Sequence, residues 1–391
     1  MIPLSQRAEI RLGFRCNARC GFCYYQELLD VDPAKEPPTP LILKQLKNLR
    51  KIGATEIEFT GGEPTIKQDL PDIISHAKKL NFVNVSLITN GIRLANYAYA
   101  EKLVSAGLND VLFSIHGHNS ELHDLHTKVP GSFNKILQAV NNLKKLGVRI
   151  RVSTTITKRN TPYVHDIMAL YIKLNVSCIH FAVFSPVGQA QETDSSFYVS
   201  YADAADALKK AINMFKDDLP PLSIKYIPFC FLVGYEKYIM NLYQQSYDPD
   251  DWNYYYSNKI RRAGTPLKDI AFDTMALIGA LFSKTLKIPL QHGMLGLKVV
   301  GFTRIVELLR KKHLPECKKC KYSLICDGVW KNYSKTKSVE SIKAVEGNKI
   351  KHPAWSYVMS RYRTPGKAIP INPADEIVID MPSTIPIKLI D

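Results

Sequence analysis

Ala8-Glu-Ile-Arg-Leu-Gly-Phe14 reads as a short β-strand, and it runs straight into Arg15-Cys16-Asn-Ala-Arg-Cys20-Gly-Phe22-Cys23. Three thiols therefore project from one loop at the carboxyl end of the first strand, the end at which barrel enzymes place their chemistry. An iron-sulfur cubane is ordinarily tied by four cysteines, so three ligands leave one metal position open to a chelating ligand.

Outward from this loop, short β-rich runs alternate with longer amphipathic stretches, the pattern of βαβ units and a parallel sheet. Strands are expected at 8–14, 56–60, 83–89, 110–115, 149–156 and 177–184, with helices at 40–52, 70–80, 95–106, 132–146 and 163–174. In the last of these, Val164, Ile167, Met168, Tyr171 and Leu174 recur at helical spacing. Six repeats predict an α/β fold, a partial (β/α)6 TIM-like barrel with a smaller C-terminal domain. After Pro186 a helix is expected at 200–215, and Asp217 to Pro221 breaks the chain. The expected units are a barrel at 1–218, a region at 219–364 with an apolar helical insertion at 272–310, and an extended, proline-punctuated tail at 365–391.

Composition is that of a folded domain: 391 residues, 46% hydrophobic and 23% charged. Residues 1–10 lack the apolar run of a secretory signal, and no stretch approaches the ~20 apolar residues of a membrane span. The apolar segment at 274–282 is closed by Lys284 and Lys287. A cytoplasmic location is expected. Eight cysteines in such a chain point to metal or redox chemistry more than to a disulfide scaffold. The net charge is +16, and residues 301–350 carry twelve Lys or Arg against five Asp or Glu. Such a region attracts nucleic acid, phosphorylated metabolites, acidic peptides or anionic membrane surfaces, or is simply a solvated basic face.

The C-x3-C-x2-C spacing, with Phe22 before the third cysteine, resembles the radical S-adenosylmethionine (radical SAM) superfamily, and motifs at successive strand ends agree in order over roughly 10–190. Thr60-Gly61-Gly62-Glu63-Pro64 resembles the family's GGEP motif, which implies that its backbone and Glu63 receive the cosubstrate's amino group. Glycine permits close backbone approach. Leu87-Ile-Thr89-Asn90-Gly91 and Phe113-Ser114-Ile-His116-Gly117 stand where relatives contact the ribose and the methionine carboxylate, which assigns Asn90 and Ser114, with Thr89, to those tasks. Phe181-Ala-Val183-Phe184-Ser-Pro186, leading to Gly188, resembles the segment that packs on adenine. Three close cysteines without a local fourth ligand make a poor structural zinc site. His116, His118, His123 and His126 invite a metal reading, but relatives carry a His-Asp pair like His123-Asp124 without metal, so structural or substrate-facing roles are expected, with His116 nearest the substrate. No residue outside the cluster is assigned a catalytic role.

Cys317-Lys-Lys-Cys320, five residues, then Cys326-Asp-Gly gives the C-x2-C-x5-C core of the auxiliary-cluster extensions called SPASM and twitch domains. Full SPASM domains continue to a further cysteine where Trp330 stands here, which implies one auxiliary cluster. The resemblance nominates Cys230 as its fourth ligand and leaves Cys178 as an inert buried thiol. A zinc ribbon competes at this second site.

The resemblance implies a [4Fe-4S] cluster on Cys16, Cys20 and Cys23, an auxiliary [4Fe-4S] cluster, S-adenosyl-L-methionine as cosubstrate, and hydrogen abstraction by a 5′-deoxyadenosyl radical. An external ferredoxin- or flavodoxin-like electron donor is implied with it. The substrate is expected to be a peptide or protein, or a small acidic or phosphorylated molecule; the lack of a leader-peptide-binding domain before Cys16 weighs against the peptide. The tyrosines at 235–256 are assigned no role. Readings from other classes are a zinc-dependent nucleic-acid-binding protein, which predicts strongly salt-dependent binding, and an iron-sulfur electron carrier, which would not need Gly61-Gly62-Glu63-Pro64.

Overall fold

In the computed structural model the described residues are 5–186, 190, 195–253, 256, 310–333 and 342–355. Gly188, the expected tail at 365–391, and all but the last residue of the expected helix at 272–310 lie outside them.

One sheet organises the chain. Its strands β1 (Arg7–Arg11), β2 (Glu56–Thr60), β3 (Asn84–Thr89), β4 (Asp110–Ser114), β5 (Arg149–Ile156), β6 (Cys178–Val183) and β7 (Leu222–Lys225) are all parallel and lie side by side in chain order. The six expected strands are present. The seventh, only four residues long, follows the Pro220-Pro221 break and pairs with β6, so the sheet runs past residue 218. Between the strands stand α1 (Thr39–Lys51), α2 (Leu70–Lys79), α3 (Tyr97–Ala106), α4 (Ser120–Thr127), α5 (Ser132–Lys145), α6 (Val164–Lys173) and α7 (Tyr201–Met214).

Alternation along the strands sets the two faces of the sheet. Ala8 and Ile10, Ile57 and Phe59, Val85 and Leu87, Val111 and Phe113 enter the apolar core shared with the helices. The residues between them are polar except Leu112, whereas parallel sheets are usually apolar on both faces. Glu58, Ser86, Asp110, Arg151, His180 and Ser223 are buried there, with Arg7 at the start of β1.

The segment 241–253, part of the tyrosine-rich stretch, closes the amino-terminal end of this polar face. Arg7 Nη1 and Arg151 Nη1 both donate to the Asp250 carbonyl, at 3.3 and 2.8 Å. Asn253 N donates to the Arg7 carbonyl, and the Asn253 amide donates to Ser5 O at 3.0 Å. Around them lies an ion-pair network: Arg151 to Glu58 at 2.7 Å and to Asp110 at 2.8 Å, Arg7 to Asp110 at 3.3 Å, and Arg149 to Asp250 at 2.6 Å. Burial alone would raise the Asp110 carboxyl, but Arg151, Arg7 and Arg149 together hold it below its ordinary value. Buried charges of this kind persist only when paired and hydrogen-bonded.

The second cysteine group sits between the strands of a small antiparallel ribbon, β8 (Lys311–Lys312) and β9 (Val329–Trp330). Asp327 ties it to the plug formed by residues 241–253: its Oδ2 accepts from Leu242 N at 3.0 Å and from Lys311 Nζ at 2.7 Å. Gln244 adds a bond to Ile325 O. No helix among the described residues is long and apolar enough to cross a membrane.

Candidate active site and metal centres

The loop that carries Cys16, Cys20 and Cys23 leaves β1 and is held from three sides. Glu36 accepts from Phe14 N, Arg15 N and Arg15 Nε at 3.0–3.1 Å, fixing where the loop begins. Helix α4 holds the middle: Arg19 N and Gly21 N donate to the carbonyls of Thr127 and His126. The end of β2 holds the third side, with Gly62 N donating to Gly13 O and Glu63 N to Arg15 O. A Cβ on Gly62 would lie 2.1 Å from Arg15 O, and one on Gly61 2.3 Å from Gly13 O. The close approach these glycines permit is thus to the cysteine loop itself.

The three thiols are near enough to raise one another. Burial, with Glu63 next, pushes Cys16 up to about 12, and burial with the other two thiols raises Cys20 further. Backbone N–H groups of Ala18 and Tyr25 point at Cys16 Sγ and Cys23 Sγ, each at 3.4 Å. Thiols so placed give up their protons when a cation binds them, because metal ligation requires the thiolate.

Tetrahedral zinc, with Zn–S near ~2.3 Å, holds its sulfurs about 3.8 Å apart. Among the described residues the only three metal-binding side chains with ligand atoms all within 4.8 Å are His180, Asp248 and Asp251. Among the described residues, neither cysteine group has three sulfurs all within 4.8 Å of one another. The His180 group already has a cation, because Lys225 Nζ pairs with Asp251.

Beside the first group, Glu63 gathers the ends of β2 and β3. Its Oε1 accepts from Thr65 N at 3.0 Å, Thr65 Oγ1 at 2.6 Å and Thr89 Oγ1 at 2.7 Å, while Oε2 accepts from Asn90 N at 2.8 Å. Asn90 Nδ2 donates to Asn17 at 2.8 Å and lies 3.8 Å from Cys16 Sγ. Pro64 is buried in the turn that follows. Ser114 ends β4 half-buried, and the Val183 side chain sits in the apolar core.

Phe22 meets the His116 ring edge to face at 4.7 Å, with Phe197 on another side. His116 Nδ1 accepts from Thr155 N, and His123 Nδ1 accepts from His116 N at 3.1 Å. His126 bonds Leu122 O at 2.7 Å and Thr157 Oγ1 at 2.9 Å. These nitrogens are spent on the protein, which fits the structural reading of the histidines. Burial, then the neighbouring imidazoles, hold His116 well below its ordinary value; burial brings His123 to about 4. Asp124 accepts from Gly131 N, Ser132 Oγ and Phe133 N, so the His-Asp pair joins β4 to the start of α5.

At the second site Cys230, on a turn after β7, lines one cavity with Cys317, Cys320 and Cys326. Burial raises the Cys230 thiol, and the other three raise it further. Gly328 N points at Cys326 Sγ at 3.4 Å. Trp330, at the place of a further SPASM cysteine, is buried under Lys311 Nζ at 4.6 Å. Glu36 and the plug carry no local motif in the sequence, and Asp327 is visible there only as the aspartate of Cys326-Asp-Gly.

Residues 10–170 match the family model described as the Radical SAM superfamily. A probable GTP 3′,8-cyclase of Sulfolobus acidocaldarius is 30% identical over 199 residues, 51% of this chain and 61% of that protein. An AdoMet-dependent heme synthase of Oleidesulfovibrio alaskensis is 29% identical over 202 residues, 52% and 50% of the two chains. The match thus spans between half and two thirds of these curated relatives. In fold, the chain superposes on native anSMEcpe with bound AdoMet at TM-score 0.54 and 19% identity, covering 91% of this chain and 95% of that one. The same protein with bound AdoMet and Cp18Cys peptide gives 0.51 at 18% identity, covering 90% and 94%.

Proposed function

Since residues 10–170 match the Radical SAM superfamily model, we propose that this chain binds S-adenosyl-L-methionine at a [4Fe-4S] cluster on Cys16, Cys20 and Cys23 and abstracts hydrogen from a substrate. The observation that carries this reading is the junction of the cysteine loop with Glu63, Thr89 and Asn90, three strand ends bonded into one site. When bound, the cluster and cosubstrate supply the electron and the 5′-deoxyadenosyl radical.

The protein's own work is orientation and exclusion of water. The Gly61-Gly62-Glu63-Pro64 turn fixes the loop against β2. Glu63 positions Thr89 and Asn90, and one lone pair on its Oε2 stays available to an ammonium. Asn90 and Ser114 are the strand-end groups for the ribose and carboxylate, Phe22 roofs the site beside His116, and the end of β6 at Val183 takes the adenine side. His116 and His123, accepting backbone protons, stay neutral and offer a dry wall.

Cys230, Cys317, Cys320 and Cys326 hold an auxiliary [4Fe-4S] cluster in this reading, in the region that follows β7, the last strand of the sheet. A ferredoxin- or flavodoxin-like donor supplies the electron. The substrate class is a peptide or protein side chain, or a small acidic or phosphorylated molecule. The GTP cyclase relatives favour the small molecule, and the peptide complex of anSMEcpe favours the peptide.

The test is anaerobic: iron and sulfide reconstitution, dithionite, S-adenosylmethionine, and assay of 5′-deoxyadenosine in wild type and in a Cys16→Ala/Cys20→Ala/Cys23→Ala variant. Nucleoside from wild type alone is expected. An iron-loaded wild type that yields none, with candidate peptides and nucleotides supplied, would replace this reading with an electron carrier.

A further inference from the structure

The cage of the second cysteine group is not built by the cysteines alone. The chain returns at 342–350, and Ile342, Lys343 and Ala344 line the same cavity as the four thiols. The return segment is pinned to the C-x2-C turn by two backbone bonds, Lys321 N to Val345 O at 2.7 Å and Ile350 N to Lys321 O at 2.9 Å. Between them Lys349 turns its ammonium onto the cysteine loop. Nζ donates to Lys318 O, to Cys320 O and to Ser323 Oγ, each at 2.7 Å.

All three acceptors are neutral, which is unusual use of a cation. In this arrangement no carboxylate is among the acceptors of the ammonium. Its charge is delivered to the carbonyl of Cys320, one of the four cage cysteines. A cluster held by four thiolates is anionic, and becomes more so on reduction; net charge and hydrogen bonding are among the protein's means of setting its potential.

We propose that Lys349 is a positioning residue of the second metal site: it closes the return segment over the cage and supplies the charge that raises the reduction potential of the cluster bound there. This rests on the auxiliary-cluster reading given above. Lys349 is exposed, as Lys318, Lys319 and Lys343 are, but among the bonds described those three make none to the cysteine loop like the three that hold the Lys349 ammonium.

The experiment uses the full chain carrying Cys16→Ala, Cys20→Ala and Cys23→Ala, so that iron reports the second site only. After anaerobic reconstitution, iron and zinc are counted, and the midpoint potential is read by spectroscopically monitored titration for Lys349, Lys349→Met, Lys349→Arg and Ser323→Ala. Lys349→Met is expected to lower the reduced-to-oxidised ratio at a fixed potential about three- to tenfold, tenfold being ~59 mV for one electron. It should also lose iron to a chelator several times faster. Lys349→Arg should recover most of the potential, and Ser323→Ala, which removes an acceptor but no charge, should keep it. A Lys349→Met protein that retains iron at an unchanged potential overturns the inference while leaving the auxiliary cluster standing. A parent protein with zinc, or with no iron, at the second site overturns the cluster reading itself.

Discussion

Glu63 uses both carboxylate oxygens inside the protein, and its two neighbours in the motif spend their missing side chains on the cysteine loop. Replacing it tests that arrangement. In Glu63→Gln the amide oxygen must take the three donors at Oε1, so the amide NH2 falls opposite Asn90 N–H, donor against donor. A cost of about 1–3 kcal/mol is expected for the stranded buried group, together with loss of 5′-deoxyadenosine formation; a urea midpoint equal to wild type would contradict it. The histidines give a pH prediction. A folded-state value of about 4 for His123, below its ordinary 6.5, means that the unfolded chain binds more protons between those limits. Stability is therefore full above about pH 6.5 and falls toward pH 4, by roughly 3 kcal/mol from this residue. His123→Asn, which keeps an acceptor for His116 N but cannot titrate, should flatten that slope in denaturant melts of the metal-free protein. The cysteines and the Gly-Gly-Glu turn were legible because their chemistry is local in sequence. Glu36 was not, because the Phe14 and Arg15 amides it binds lie twenty-odd residues upstream with nothing in between to link them.

Helix and strand periodicity carried most of the fold: six strands and six helices stand within a few residues of where alternation and helical spacing put them. The failures have physical causes. Strand β7 is Leu-Ser-Ile-Lys behind two prolines, a single four-residue alternation too short to stand out, and its pairing with β6 supplies what the segment lacks alone. Helix α4 hides among histidines chosen for the bonds they make, and Asn119, whose side chain accepts from Leu122 N, is its one sequence signal. The second site offers a test at this scale. Gly328 has φ +77°, and a Cβ there would lie 2.3 Å from Lys312 O across the β8–β9 ribbon. Gly328→Ala is therefore expected to open the ribbon and reduce iron held by Cys326 to well under half of wild type, with first-site iron intact. Full iron occupancy in Gly328→Ala, counted in the triple-alanine background, would show that the ribbon does not shape the cage.

At the scale of the whole molecule, the barrel and the cysteine-rich region read as separable units in sequence, because composition changes after Pro186 and the chain breaks at Asp217 to Pro221. The structure binds them together through polar groups that no periodicity reveals. Arg7 and Arg151, on β1 and β5, find acceptors in the Asp250 carbonyl of the plug, and the plug reaches Asp327 beside Cys326 through Leu242 N. Arg151→Met would leave Glu58 and Asp110 without their closest cation, and breaking such a buried pair costs about 3–5 kcal/mol. A fragment ending at residue 218 goes further: it loses β7, the plug and both carbonyl acceptor bonds at once, and exposes the unpaired edge of β6. It is expected to keep helical far-ultraviolet dichroism but to lose cooperative urea unfolding and to bind a hydrophobic dye, as packing-deficient states do. A single sharp transition in that fragment would mean that the buried arginines are satisfied within the barrel. The plug would then be an attachment of the second site, not the floor of the first.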